Sequence, residues 1–308
     1  MYEQNLISVV IPTKNRAKLL PRALESARGQ TYQNLEILVV SDGSQDETDE
    51  IMAQKEAQGE NIRYLSYFPG RGGNYARNMG IRAARGEWVA FLDDDDEWHP
   101  DKLQKQMQLA QSNPGIGLIC TAINVVEDAT GAHHVHCPEV PDDPAREILK
   151  RNFIGSTTTV LVRHSLLDEC GMFDEEMPAK QDYDLWIRLC RLTGVGVVET
   201  PCVEYHNLAE NNQISWDYRR YAAANARLWE KYGKDRRERL TPAEVRNIRA
   251  EEQMSLARKA FKAGQRDKTR AFAREALKYR FSGEGAAYLL ASRLPARLVR
   301  RVYGKLRG

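Results

Sequence analysis

A chain of 308 residues, 42% hydrophobic and 29% charged, has the composition of a folded globular protein with room for one large or two modest domains. This excludes a disordered or low-complexity chain, and a net charge of only +2 places no global demand for nucleic acid. The five cysteines, Cys120, Cys137, Cys170, Cys190 and Cys202, are scattered without a CxxC pair, which argues against a disulfide framework or a zinc site and for a reducing cytosol.

The first residues, Met1-Tyr2-Glu3-Gln4-Asn5, carry neither the basic nor the apolar region of a signal peptide, and no apolar run is long enough for a membrane span. Leu6 to Ile11 is a near-continuous apolar run stopped by Pro12, which predicts a buried strand. Leu19, Leu20, Leu24 and Ala27 recur at helical spacing up to Gly29. A second strand, Leu35 to Val40, leads into Ser41-Asp42-Gly43-Ser44, where Ser44 and Glu47 have the spacing of a capping box. Ile62 to Leu65 predicts a third strand. The Gly-rich loop Pro69-Gly70-Arg71-Gly72-Gly73 then opens a helix running to Ala84. That loop is neither GxGxxG nor a Walker A sequence, so neither NAD nor ATP chemistry is indicated. Strands alternating with helices predict parallel pairing through right-handed crossovers, a Rossmann-like half.

The next strand, Glu87 to Leu92, runs straight into Asp93-Asp94-Asp95-Asp96. Four adjacent carboxylates repel one another. They form either a solvated acidic turn or a hard-cation site at the carboxyl end of a sheet strand. Pro100 to Leu103 starts a helix with Leu103, Met107 and Ala110 on one face, and Ile116 to Val126 is a long strand. Residues Glu127 to Asp143 read as an exposed loop; its His133, His134, His136 and Cys137 are either polar surface or a metal site. Thr157 to Val162 predicts a strand, and Gln181 to Leu189 a helix burying Leu185, Trp186 and Leu189. Val195 to Val198 is a last short strand, leading to Tyr205-His206.

Composition changes near Asn211. Thr241-Pro242-Ala243-Glu244 combines an N-cap, a first-turn proline and a capping-box Glu. The helix it opens ends at Gly264, and a second spans Asp267 to Tyr279, an αα-hairpin resembling a single tetratricopeptide unit. Leu290, Leu294, Leu298, Val302 and Leu306 recur every four residues among Arg293, Arg297, Arg300, Arg301, Lys305 and Arg307. A basic amphipathic helix of this kind either lies on an anionic membrane surface or docks with its arginines in water.

Several of these blocks together resemble family 2 glycosyltransferases. They are Ser8 to Arg16, Val39 to Ser44, Ala76 to Gly80, the Asp cluster with Trp98 and Pro100 to Leu103, Cys170 to Glu175, and Asp182 to Trp186. The blocks occur in the family's order between Leu6 and His206. The resemblance implies a GT-A α/β fold, a Rossmann-like mixed sheet flanked by helices, here followed by a helical C-terminal extension. The expected division is a catalytic domain over 1–210, with a nucleotide-binding half at 1–98 and an acceptor half at 99–210, and an extension over 211–308.

The implied activity is inverting sugar transfer from a nucleotide-diphosphate donor, UDP-sugar foremost, to a saccharide or lipid-linked acceptor in cell-surface polysaccharide synthesis. By the same resemblance Asp95, Asp93 and His206 would hold Mn²⁺ or Mg²⁺. Pro12, Thr13, Arg16, Asp42, Arg77 and Asp94 would meet the donor nucleotide, and Asp182 would be the base. Asp96 would be structural. Two departures stand out: Ser41 replaces the first of a usual acidic pair, and Gln181 stands where Glu is common. Residue by residue, Asp182 also suits a helix cap, and His206 a plain structural role. The implied location is the cytoplasm, at the inner membrane face if the basic tail binds lipid. Two rival readings are a nucleotidyltransferase, which normally wants a Gly-rich basic signature after the first strand, and a non-catalytic scaffold using the αα-hairpin.

Overall fold

The structure, a computed structural model, describes residues 2–127, 132–207 and 217–292. The chain divides into two compact units. The first takes its described residues from Met1–Ile148, Asn152–Met177 and Gln181–Ala209, the second from Leu149–Arg151, Pro178–Lys180 and Glu210–Gly308.

The first unit begins β1 (Glu3–Thr13), α1 (Leu20–Arg28), β2 (Leu35–Asp42), α2 (Thr48–Ala57), β3 (Ile62–Tyr67), α3 (Gly73–Ala83) and β4 (Gly86–Phe91). It continues β5 (Glu97–Trp98), α4 (Lys102–Ser112), β6 (Ile116–Glu127), β7 (Ala132–His136), α5 (Pro144–Glu147), β8 (Leu161–Arg163), α6 (His164–Cys170), α7 (Gln181–Leu189) and β9 (Gly194–Asn207). The strands form one sheet in the order β3-β2-β1-β4-β8-β6-β9-β5, with β7 added against β6. Strands β1 to β4 pair in parallel, β8 runs antiparallel to both β4 and β6, and β6 and β9 are parallel. The sheet is therefore mixed, and the carboxyl ends of its four parallel strands share one edge. Between its layers Ile7, Val9, Ile11, Leu20, Leu24, Val39, Trp88, Leu103 and Met107 are buried together, which is why β1 and β2 read as unbroken apolar runs.

Strand β1 does not stop at Pro12 as predicted. Its last register pair with β4 is Val10 with Phe91, so no neighbour on that side needs the N–H that Pro12 lacks, while pairing with β2 continues to Thr13 and Ser41. The capping box of Ser44 and Glu47 does not form. Ser44 Oγ is drawn to the Asn15 N–H at 3.1 Å, and Asp46 accepts from the N–H groups of Ala17 and Thr48 instead. The stretch predicted as a loop contains β7, exposed on both faces and therefore without an apolar alternation to betray it. Successive residues of β7 point to opposite faces, so His133 and His134 do not converge. Thr157–Thr159 is a turn of 3-10 helix rather than strand, and β9 runs far beyond the expected Val198, kinked by register shifts around Pro201.

One buried carboxylate fastens the far end of this sheet. Glu36, 4% exposed on β2, accepts from the Ser8 hydroxyl (2.7 Å), the Arg85 N–H (2.7 Å), and the guanidiniums of Arg63 and Arg85 (3.1 Å each). These partners come from β1, β3 and the turn into β4.

In the second unit, α8 (Tyr218–Arg239), α9 (Pro242–Lys262), α10 (Arg266–Tyr279) and α11 (Gly283–Ala291) follow one another. The Thr241–Glu244 capping box forms, and Gly264 takes the left-handed conformation (φ +70°) that ends α9. Tyr218, Leu256 and Ala260 bury together against Phe272. Helix α8 was not foreseen: its buried positions, such as Ala224, Leu228 and Tyr232, are too sparse among charges to stand out. From residue 293 onward the basic amphipathic stretch lies outside the described residues. Among the described residues no helix is long and apolar enough to cross a membrane.

Burial pushes the Glu36 pKa up, but the Arg85 N–H, the Ser8 hydroxyl and the two arginines more than offset it and hold it below the usual range. A depressed carboxylate stabilises the fold above its unfolded pKa of about 4.3, and that contribution is lost as pH falls through the folded value. Glu36→Gln should cost about 1–2 kcal/mol at pH 7 and flatten the acid loss of stability. Urea melts at pH 7 and pH 3 check this; equal acid losses in both proteins would refute it.

Candidate active site

The parallel strand ends bring Thr13, Asp42 and the acidic turn to one edge, where β1 is flanked by β2 on one side and β4 on the other. Such a switch in connection direction opens a crevice at the carboxyl ends. Beyond β4, the Asp96 N–H donates to the Asp93 carbonyl (3.1 Å), folding the four acids into a turn. Asp94 and Asp96 turn inward, 4% and 1% exposed, while Asp93 and Asp95 keep partial access to solvent.

Three of the four carboxylates have a guanidinium partner, whereas Asp96 Oδ2 is buried without a hydrogen bond. Arg16 Nη1 donates to Asp94 (2.7 Å) and Asp95 (2.8 Å), and Arg22 of α1 donates to the Asp95 carbonyl (2.5 Å). Arg77 of α3 donates to Asp93 (2.5 Å), as does the Thr157 hydroxyl (3.1 Å). Burial pushes the Asp94 carboxyl up to about 6, against the opposing pull of Arg16. Burial and the charge of Asp93 also raise Asp95, although Arg16 opposes them. Asp96 is raised furthest, by burial and then by Asp93 and Asp95, even with the His206 N–H and Thr158 beside it. Asp96 is also the most deeply buried of the four acids.

Four carboxyl groups share two guanidiniums here, and the accessible pair, Asp93 and Asp95, offers hard oxygen donors. That set suits Mg²⁺ or Mn²⁺, ions that take one or two protein carboxylates and fill the remaining positions from water and substrate phosphates. Among the described residues no three His, Cys, Asp or Glu side chains are gathered closely enough to form a metal site by themselves. His206 lies on β9 opposite Val126, and its backbone N–H reaches Asp96 of the turn.

Asp182 lies in the first turn of α7, within the electrostatic reach of Arg77 and Asp93. Its carboxyl is raised by burial, against the Tyr183 N–H and Arg77, and Asp93 raises it further. Asn152 Nδ2 contacts it at 3.4 Å, and the Asn152 side chain is itself fixed by the N–H groups of Ile154 and Gly155. Asp184 is different: it is fully buried and paired with Arg188 at 2.8 Å. Of the two acids in this block only Asp182 is placed to meet a ligand.

Asp42 ends β2 and accepts from Tyr67 Oη (2.8 Å), the N–H groups of Arg71 (2.5 Å) and Gly72 (2.9 Å), and Lys14 Nζ (3.3 Å). Burial raises its pKa, but these donors outweigh it, led by the Tyr67 hydroxyl, and keep it an anion. Asp42 thus ties the Gly-rich loop to the sheet edge. Pro12 and Thr13 are buried at the end of β1 beside it, and the Thr13 hydroxyl faces Asp94.

Residues 8–171, just over half of the chain, match the family model described as glycosyl transferase family 2. The chain belongs to this family. Amylovoran biosynthesis glycosyltransferase AmsB of Erwinia amylovora is 33% identical over 65% of the chain and 69% of its own length. Against uncharacterized glycosyltransferases of Rickettsia, 30–32% identical, the chain spans from 28% to 60% of their length. Two solved structures share the fold. S. aureus TarS 1-349 in complex with UDP-GlcNAc has a TM-score of 0.58 at 16% identity, covering 93% of this chain and 90% of that one. The mannosyltransferase PcManGT of Pyrobaculum calidifontis, in complex with GDP-Man and Mn²⁺, has a TM-score of 0.58 at 18% identity, covering 92% and 78%.

Several contributors to this family 2 site escaped sequence reading. Arg22 lies in a segment read only for its apolar spacing, Thr157 and Thr158 in one read as a strand, and Asn152 in one without pattern, and only the folded chain brings them to the acids. Asn74 and Asn78 of α3 hydrogen-bond to the backbone of Phe173, Asp174 and Met177, which holds the Cys170 to Glu175 block against the helix that carries Arg77. Trp98 Nε1 donates to the Thr158 carbonyl (2.9 Å), and the buried Lys102 lies 4.1 Å from the Trp98 ring centroid, so both brace the 3-10 turn that reaches Asp93.

The Asp42 loop depends on close backbone approach. Gly43 has φ +68°, and a Cβ there would lie 2.6 Å from the Gly70 N. Gly43→Ala should therefore lower stability by about 1–3 kcal/mol and weaken nucleotide binding. Thermal melts with and without nucleotide test this; an unchanged melting temperature would show that the loop yields freely.

Proposed function

We propose that the chain transfers a sugar from a nucleotide-diphosphate donor, UDP-sugar foremost, to a hydroxyl of a saccharide or lipid-linked acceptor, with inversion. The observation that carries this reading is the grouping of Asp182, Arg77 and the acidic turn at one sheet edge. Complexes of the fold neighbours with UDP-GlcNAc and with GDP-Man and Mn²⁺ support the donor class. The polysaccharide setting is supported by AmsB, named for amylovoran biosynthesis.

In the proposed reaction the acceptor O–H gives its proton to Asp182 as its oxygen attacks the anomeric carbon. The new C–O bond forms on the face opposite the breaking bond, and the nucleoside diphosphate leaves with the electron pair. The raised pKa of Asp182 makes it a better proton acceptor than an ordinary aspartate, provided that it starts ionised. Arg77 orients Asp93 and offsets its charge beside Asp182, and Arg16 does the same for Asp94 and Asp95. A Mn²⁺ or Mg²⁺ held by Asp95 and Asp93 would neutralise charge on the departing diphosphate. Asp94, Asp42, Pro12 and Thr13 would wall the nucleoside side, with His206 supporting the turn.

Asp182→Asn should leave metal-dependent nucleotide binding intact and lower turnover by about 10²–10⁴-fold. The check is a thermal-shift screen of UDP, GDP, CMP and dTDP compounds with Mn²⁺, Mg²⁺ or EDTA, followed by donor turnover assays on both proteins. No shift with any nucleotide would overturn the transferase reading, and full turnover by the variant would remove Asp182 as the base.

The basic stretch beyond residue 292 supports a second part of the proposal, contact with anionic lipid at the inner membrane face. Deleting the residues after Ala291 should abolish sedimentation with vesicles containing phosphatidylglycerol. Equal sedimentation of the truncated chain would refute that contact.

A further inference from the structure

The helical unit contains a cluster that the transfer chemistry does not use. Asn225 of α8 is 6% exposed, and its Oδ1 accepts from Lys180 Nζ at 2.7 Å. This fixes the amide, because the flipped orientation would set NH₂ against an ammonium. Asn225 Nδ2 is then a buried donor without a hydrogen-bond partner. Buried donors are seldom left so, and an unmet one marks the place of an acceptor.

The surroundings say what kind of acceptor. One turn earlier on α8, the Tyr221 ring has Lys259 Nζ 3.8 Å and Lys180 Nζ 5.8 Å from its centroid. Lys259 projects from α9, and Lys262 lies one turn further along the same helix. We propose that Asn225, Lys180, Lys259 and Lys262 form a binding site for an oxyanion, a phosphate or a sugar carboxylate, over the Tyr221 ring. Asn225 Nδ2 supplies a directed hydrogen bond and the lysines supply charge. Lys259 is pushed down to about 8 by burial and then by the like charges of Lys262 and Lys180, which places the three ammonium groups within reach of one another. Lys180 itself holds a left-handed backbone (φ +55°), uncommon for a lysine and a sign that its position is imposed. The site stands whether or not the acidic turn transfers a sugar.

Calorimetric titration of the full chain tests this, in EDTA, with inorganic phosphate, pyrophosphate, D-glucuronate and neutral D-glucose. The expected result is binding of at least one anion with glucose inert, weakened about tenfold or more in Asn225→Leu and Lys259→Gln and retained in Lys259→Arg. Preference for phosphate or pyrophosphate assigns a phosphoryl ligand, and preference for glucuronate a sugar acid. Lys262→Gln, at an exposed position, serves if the buried variants fail to fold, and it should weaken binding in the same direction. No anion binding, equal binding of glucose, or affinity unchanged in the folded variants would overturn the site.

Discussion

Negative charge crowded at the end of a buried strand is the constraint around which the first unit is arranged. Strand β4 is apolar because it lies in the middle of a covered sheet, and it delivers four carboxyl groups to one turn. Such a turn survives only if its charge is answered locally. Arg16 comes from the loop after β1, Arg22 from α1, Arg77 from α3, and the Thr157 hydroxyl from the 3-10 turn. A loop, two helices and the 3-10 turn therefore contribute to holding the acids. Even so, only two of these guanidiniums, those of Arg16 and Arg77, reach the carboxyl groups themselves, so the turn keeps an excess of acidic groups.

Parallel pairing gives this arrangement its reach. Because β1, β2 and β4 run the same way, Thr13, Asp42 and Asp93 arrive at one edge although long stretches of chain separate them. The opposite edge has its own fastening in Glu36, where one carboxylate is satisfied by donors from two strands and a turn. The two ends handle buried carboxylate in opposite ways. Glu36 and Asp42 are surrounded by donors and held as anions, whereas Asp94, Asp95 and Asp96 crowd one another and are pushed toward neutrality. The first condition holds the charge in place, and the second opposes it.

The legible parts of the sequence were those governed by local rules. Apolar runs gave β1, β2 and β4, helical spacing gave α1, α4 and α7, and the Thr241–Glu244 box placed the start of α9. Failures came where a tertiary contact overrode a local preference. Ser44 left its helix for Asn15, the β-branched Thr157 to Thr159 wound into a 3-10 turn under the acids, and β7 paired as an edge strand with no apolar face to announce it. Helix α8 was hidden by the many charges on its exposed side.

By itself the sequence determined the chemical inventory: a strand emptying into four aspartates, an aspartate opening α7, and an order of motifs that fixes the family. Those features are local in the chain, so composition and spacing preserve them. Only the tertiary structure decided which carboxylates face solvent and which are buried, that Arg77 stands near both Asp93 and Asp182, and that Asn225 is left with a donor to spare beside three lysines. Each depends on distances between residues far apart in sequence, and burial and Coulomb interactions act through those distances rather than along the chain.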